Sequence, residues 1–267
     1  MTEISDFAQK MGGDKKPVDL SWMRAAAAAE AAWGVTEFTL YYQIQDRGDE
    51  IHRQYCDFVG RLNAVLRNAS LYRPVLLYYP IETFQEEYIP TAEPFSLQTQ
   101  SAAARRAVES FERLGGWLTQ MQIPFTLIDY AFLAKAESKG KEIELAGSRF
   151  HMLVLPSVEL PKSSADTIDR LRKGGFRILA DGKDTIAVPD MPKLEPASPK
   201  IVFGQFKREG YDIFVLTNAD KENVYEGRLA NVAGTAGFIL DPQTGGKQPF
   251  DVSVRLAPLQ TLLYVHR

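Results

Sequence analysis

Three glutamates stand close together in the segment PIETFQEEYIP: Glu82, Glu86 and Glu87. Paired carboxylates can divide general acid and base work when one stays protonated and the other ionised. The same three acids also suit a solvated loop resting against a neighbouring domain, because sequence neighbours rarely face one substrate from opposite sides. Gln85 to Tyr88 would then form the edge of a cleft. Other chemistry is thinly represented. Cys56 is the only cysteine, which excludes an intramolecular disulfide and a thiolate zinc cage. His52, His151 and His266 show no metal-ligand spacing. No cofactor and no metal are expected. Ser157 lacks the G-x-S-x-G elbow that would expose a nucleophilic hydroxyl. The glycine pairs Gly115-Gly116 and Gly174-Gly175 fit neither a dinucleotide fingerprint nor a Walker loop and read as structural.

These residues need elements to hold them. DLSWMRAAAAAEAAW (19–33) is an alanine-rich helix capped by Asp19 or Ser21 and stopped by Gly34, and VTEFTLYY (35–42) is β-branched and aromatic, as in a strand. A helix follows over about 51–67, with Tyr55, Phe58, Val59, Leu62, Val65 and Leu66 on its apolar side; Cys56 is expected there as a small buried hydrophobe. From residue 71 strands and helices alternate. RPVLLYYP, FTLIDY, HMLVLPS and FRILADG read as buried strands, separated by helices at 101–122 and over KSSADTIDRLRKGG, with FLAKAESKG as a short helix. That alternation predicts a parallel sheet with helices on both faces. Ligands would bind outside the carboxyl ends of its strands, where Glu82, Asp129 and Ser157 could converge as a small enzyme's site.

The texture changes at VPDMPKLEPASP (188–199), whose four prolines read as a linker. Short alternating strands separated by turn residues follow to the end, as in a small all-β sandwich. The expected organisation is therefore 1–70, 71–188, a linker at 189–199, and 200–267.

Net charge is -3 at pH 7, which gives no footprint for nucleic acid, and no apolar run reaches the ~20 residues of a membrane span. No signal peptide is evident, so the chain as it stands is expected to be cytoplasmic.

The order of these blocks resembles the end of a glycoside hydrolase barrel running into its next domains. GVTEFTLYY, VLLYYPIETFQEEYIPT, LGGWLTQMQIPFTLIDYAFL and KGGFRILADG resemble the region where a barrel meets the glutamine-amidotransferase-like domain of β-galactosidase-type enzymes and of family 106 α-L-rhamnosidase-like proteins. VLTNADKENVYEGRLA and Asp241-Pro242-Gln243-Thr244-Gly245 are similar to phrases of the β-sandwich that follows. The fold this implies is α/β: a flavodoxin- or amidotransferase-like sheet, a C-terminal β-sandwich and an N-terminal βα remnant of a (β/α)8 barrel. A barrel needs ~250 residues, so only one βα unit fits before residue 71, and the barrel's catalytic carboxylates would lie on strands absent from this chain. The resemblance implies an accessory region, catalytically incomplete by itself, and its full-length members are often exported. In the remnant, Tyr41, Tyr42 and Gln43 would sit at the carboxyl end of a barrel strand and line a cleft, with Asp46, Asp49 and Glu50 nearby and Glu37 at the strand's start. Partners implied are a carbohydrate, a second copy or a separate barrel chain. A stand-alone carbohydrate-binding or interaction module is the alternative, with Trp22, Trp33 and Trp117 as its aromatic platforms.

Overall fold

The computed structural model describes residues 2–4, 17–42, 45, 47–91, 96–181, 191–232, 234 and 236–267. In chain order the first block is β1 (Thr2–Ile4), α1 (Leu20–Ala32), β2 (Phe38–Leu40), α2 (Asp49–Leu66) and β3 (Ser70–Leu71). The second is β4 (Val75–Tyr78), α3 (Ile81–Glu86), α4 (Ala102–Gln120), β5 (Phe125–Ile128), the single turn α5 (Tyr130–Leu133), β6 (Glu137–Lys139), β7 (Glu142–Leu145), β8 (Ser148–Phe150), β9 (Met152–Leu155), α6 (Lys162–Lys173) and β10 (Arg177–Ala180). The third is all strand: β11 (Lys193–Glu195), β12 (Ile201–Arg208), β13 (Tyr211–Asn218), β14 (Tyr225–Ala230), β15 (Gly237–Leu240), β16 (Lys247–Pro249), β17 (Ser253–Leu256) and β18 (Thr261–His266).

The contacts divide the chain into two compact units, Met1–Tyr72 together with Asp190–Arg267, and Arg73–Pro189. The first block therefore does not stand by itself: it packs with the C-terminal strands. A six-stranded antiparallel sheet runs β16-β15-β18-β13-β12-β3, and a three-stranded one runs β11-β14-β17. Register pairs Ile213 with Val265 and Val215 with Leu263 on one face, and Phe214 with Tyr264 and Leu216 with Leu262 on the other. The second face packs on Leu194, Tyr225, Leu229, Val254 and Leu256 of the smaller sheet, which makes the sandwich. The first face packs on Ala28, Ala31 and Ala32 of α1 and on Phe58, Leu62 and Leu66 of α2. Helices thus cover the outer side of the larger sheet.

Local chemistry explains the close fit. Asp19 caps α1 by accepting the Trp22 N–H at 2.9 Å. Alanine favours the helix and keeps its contact face thin. On β12, a Cβ at Gly204 would lie 2.5 Å from the Ala32 carbonyl oxygen, so only glycine lets α1 approach. The Arg208 guanidinium reaches the last-turn carbonyls of α2, Ala64 at 3.4 Å and Val65 at 3.3 Å. The proline-rich segment differs from a plain linker: Lys193–Glu195 is a strand paired with β14, and Leu194 is buried. Residues 188–190 lie outside the described ones.

In the second unit four parallel strands are ordered β10-β9-β4-β5. Strands β4 and β9 are buried at every residue, and alternate side chains serve opposite faces. Val75, Leu77, Met152 and Val154 meet Leu114 and Leu118 of α4, while Leu76, Tyr78, Leu153 and Leu155 meet Ile168 and Leu171 of α6. A β6-β7-β8 meander joins the α6 side through Ile143 and Phe150. Glu137–Lys139, expected inside a short helix, is its first strand. The two-residue loop Ala146-Gly147, both at positive φ, closes the β7-β8 hairpin.

Candidate functional site

Neighbouring strands β4 and β5 follow one another in the chain on one side of β4, whereas β9 and β10 lie on its other side. The winding reverses between β4 and β9, and the two crossover helices pack on opposite faces. The segments leaving β4 and β9 part at this point, where an open α/β sheet offers a crevice for ligand. Two hydrogen-bonded clusters occupy this edge.

The first centres on Tyr78, the last residue of β4 and wholly buried. Its hydroxyl donates to Glu82 Oε1 at 2.6 Å and lies 3.3 Å from Ser164 Oγ of α6. Ser164 donates to the same carboxylate oxygen at 3.1 Å. Burial, reinforced by the hydrogen bond to Glu82, pushes the Tyr78 hydroxyl well above the ordinary phenol range, so it remains a donor. Glu82 Oε2 is buried without a hydrogen-bond partner. The second cluster centres on Ser110 of α4. Its hydroxyl donates to Asp181 Oδ2 at 2.5 Å and accepts the Ser157 N–H at 2.7 Å. Arg113 pairs with the same Asp181 oxygen. The loops after β9 and β10 are thereby tied to α4.

The glutamates do not form an acid–base pair across a gap. Glu82 and Glu86 are four residues apart on one short helix, hence neighbours on one side of it. Glu82 is engaged with Tyr78 and Ser164, whereas Gln85 and Glu86 are exposed and Glu87 is half-buried. Gln100, buried, fixes the segment beyond them: its side-chain oxygen accepts the Ile89 N–H at 2.9 Å, and its amide donates to the Ile89 carbonyl at 3.0 Å. Asp129 caps α5 by accepting the Phe132 N–H at 2.9 Å. Ser157 contributes its backbone N–H. His151 stands just before β9, at the amino end of the sheet, paired with Glu142 at 3.1 Å. Among the described residues of this unit no nucleophile has an imidazole beside it, and among all described residues no cluster of His, Cys, Asp and Glu could hold a metal ion.

In the other unit Tyr41 is exposed, whereas Tyr42 is buried edge-on against Tyr55 (6.1 Å between centroids), with the Arg47 guanidinium 5.0 Å from its ring centre. Tyr42 is a core residue and does not line a cleft. Gln43 and Asp46 lie outside the described residues. Asp49 and Glu50 open α2, and hydrogen bonds from Gln54 and Arg53 hold the Glu50 carboxyl below its usual range. Cys56 is exposed rather than buried, its Sγ 3.7 Å from His52 Nε2. It falls between the helix positions Tyr55 and Phe58 that face the core.

The two sandwich phrases prove to be turns. Asp241 Oδ1 accepts the Gln243 N–H at 2.8 Å and Oδ2 accepts from Thr244 Oγ1 at 3.1 Å, while Gly245 turns at φ +79°. The Pro242 and Gln243 carbonyls, turned outward, each accept from Arg61 of α2 at 3.1 Å. Likewise Asn218 Nδ2 donates to the Asn223, Leu256 and Ala257 carbonyls, and Asp220 Oδ1 accepts the Glu222 and Asn223 N–H groups.

Ser110, Asp181, Arg113, Ser164 and Gln100 are missing from the sequence-based candidates. Both serines carried a usable signal: each occupies a position of an apolar helix stripe, Ser110 with Ala107 and Leu114, Ser164 with Ile168 and Leu171. A hydroxyl at such a position must find a buried partner.

No protein-family model matches the chain, and no curated protein matches it in sequence. Solved structures do match. Its fold is similar to part of several glycoside hydrolases. A rhamnosidase from Novosphingobium sp. PP1Y superposes with a TM-score of 0.64 at 13% identity over 94% of this chain and 30% of that one. A catalytic mutant of a GH42 β-galactosidase from G. stearothermophilus gives 0.60 at 9% identity, over 94% and 51%. The β-galactosidase from Bacillus circulans sp. alkalophilus gives 0.59 at 8%, over 93% and 52%. The chain thus spans between about a third and a half of the length of these structures, and what it shares with them is the fold: mixed α/β, with parallel and antiparallel sheets. Among the described residues no helix is long and apolar enough to cross a membrane.

Proposed function

We propose that this chain is a carbohydrate-related accessory region of a glycoside hydrolase and is catalytically incomplete by itself. In this reading residues 71–188 are a flavodoxin- or amidotransferase-like domain that has lost amidotransferase chemistry. Residues 200–267 are a β-sandwich, and 1–70 are a barrel-derived βα fragment now docked on it. The observation that carries the proposal is a coincidence of extent and content. Nearly all of this chain superposes on about a third of one kind of glycoside hydrolase and about half of another, and the crevice its own sheet would offer is taken up by Tyr78–Glu82–Ser164 and Ser110–Asp181–Ser157. Hydroxyls committed to buried carboxylates fasten loops to helices. Among the described residues of this edge they leave no activated nucleophile and no pair of carboxylates flanking a substrate. The role is scaffolding for a separate barrel chain, or contact with a second copy.

The test is release of p-nitrophenol from aryl glycosides, α-L-rhamnoside and β-D-galactoside among them, by the purified chain. No release above the uncatalysed rate is expected. Turnover abolished in Glu86→Gln or Glu37→Gln would overturn the proposal and place a complete site within these residues. The reading as a stand-alone carbohydrate-binding module has one observation in its favour: Trp33, which caps the end of α1, is 60% exposed, and an aromatic side chain at the surface is the kind sugars stack upon. Titration of its fluorescence with oligosaccharides checks it, and an unchanged spectrum at saturating sugar would count against it.

A further inference from the structure

A cavity of about 520 Å³ opens beside the carboxyl-terminal half of α2, a volume within the range of small-molecule sites. Glu37 lines it from the segment preceding β2, and Gly60, Asn63, Leu66, Arg67 and Asn68 line it from α2 and the residues after it. Several charged side chains of this unit are paired. Glu50 is hydrogen-bonded to Arg53, Arg61 holds the Asp241 turn, Arg208 caps α2 and Glu195 pairs with Arg228. By contrast, among the described residues the side chains of Glu37, Asn63, Arg67 and Asn68 make no hydrogen bond or ion pair, although all four line one space.

Gly60 supplies an independent observation. A glycine inside a helix costs roughly 0.5–1 kcal/mol relative to alanine. Close packing can require a glycine, as it does at Gly204 on strand β12, but a Cβ at Gly60 would meet no atom within 4 Å. No neighbour requires the glycine, and any side chain there would take up room in the cavity it lines.

We propose that this cavity binds a neutral polyhydroxylated ligand, a single sugar ring or the end of a saccharide chain. One carboxylate, one guanidinium and two amides sum to no net charge. Together they offer acceptors and donors for adjacent hydroxyls, and Leu66 provides an apolar surface for the C–H face of a ring. A small anion would meet Glu37 and a small cation would meet Arg67. The choice of ligand class rests on the carbohydrate-related reading above; the cavity and its unpaired lining do not.

The experiment is saturation-transfer NMR and calorimetric titration of the full chain with methyl α-L-rhamnopyranoside, methyl β-D-galactopyranoside and, as a zwitterionic control, serine. Gly60→Leu and Asn63→Leu are compared, the first chosen because leucine favours the helix and fills the space. Saturable binding of a methyl glycoside, weakened about tenfold or more (1.4 kcal/mol or more) in both variants with the melting temperature of Gly60→Leu retained, is the expected result. Glycoside binding unchanged in Gly60→Leu overturns the cavity as the site while leaving the carbohydrate reading intact. Binding of serine in preference to the glycosides overturns the ligand class. No binding of any probe overturns the proposal outright. Hydrolysis of aryl glycosides, by contrast, would sink only the catalytic-incompleteness reading.

Discussion

Strands β4 and β13 are alike in sequence texture, and each belongs to a sheet covered on both sides, yet they acquire their covers differently. In the parallel sheet, α4 and α6 are the crossovers themselves, so the connections that make the strands parallel also bury them. In the antiparallel sheet, hairpins and short loops link the strands, and the outer face of β13 and β18 is closed by α1 and α2 from the far end of the chain. The Arg61–Pro242 hydrogen bond, for instance, spans 181 residues. Parallel topology carries its own cover. An antiparallel sheet whose strands are apolar on both faces requires one from elsewhere.

Deleting residues 1–66 should break this comparison most severely. Ile213, Val215, Leu263 and Val265 would lose their helical cover, at roughly 1.5–3 kcal/mol for each side chain returned to water. Their sum rivals the whole stability of a domain, about 5–15 kcal/mol. The shortened chain should aggregate or bind a hydrophobic dye, and a monomer with a cooperative melting transition would refute the interpretation. Phe58→Ala and Leu77→Ala remove one buried side chain from each arrangement, and each should cost about 2–5 kcal/mol in urea unfolding. Gly204→Val forces a side chain against the Ala32 backbone and should cost on the order of 1–3 kcal/mol, the usual scale of overpacking. Ser110→Ala leaves the Ser157 N–H and one Asp181 contact unmade, for about 1–3 kcal/mol.

The smallest effect at neutral pH is the one that separates the two regions at high pH. Burial raises the hydroxyl pKa of Tyr78 in the parallel sheet, and of Tyr55, Tyr225 and Tyr264 in the other unit. Unfolded tyrosine ionises near ~10, so above that pH the unfolded chain binds fewer protons than the folded one. Stability is then full below about pH 10 and falls as pH rises toward the folded values. With three such tyrosines against one among the described residues, melting followed by near-ultraviolet circular dichroism should show the sandwich unit losing stability more steeply. Equal slopes would show that the burial of these hydroxyls does not differ as described.

Much of the architecture was legible because it is local. Asp19 and Gly34 bracket α1 in plain view, Tyr55, Phe58, Leu62 and Leu66 keep helical spacing, and VLLY and MLVL are apolar at every position, as strands buried on two faces must be. IFVL in β13 and LLYV in β18 carry the same signature, which alternation-based reading of a sandwich passes over. The Asp241 turn was recognisable as a phrase, but its outward carbonyls acquire a purpose only against Arg61. The candidate site was less legible. Glu82 could be singled out as an acid, whereas its engagement with Tyr78 and Ser164 depends on α6 crossing the sheet and could not be read from spacing.

What the sequence determined by itself was therefore the set of elements, their caps and breaks, and the apolar character of each face, since these follow from backbone preference and periodicity within a few residues. The tertiary structure alone decided which helices close the antiparallel sheet, that Tyr42 belongs to a core and Cys56 to the surface, and that the hydroxyls at the carboxyl edge fasten loops. Those outcomes depend on which distant surfaces meet, and burial and hydrogen-bond partnership are properties of that meeting, which no residue's immediate neighbours specify.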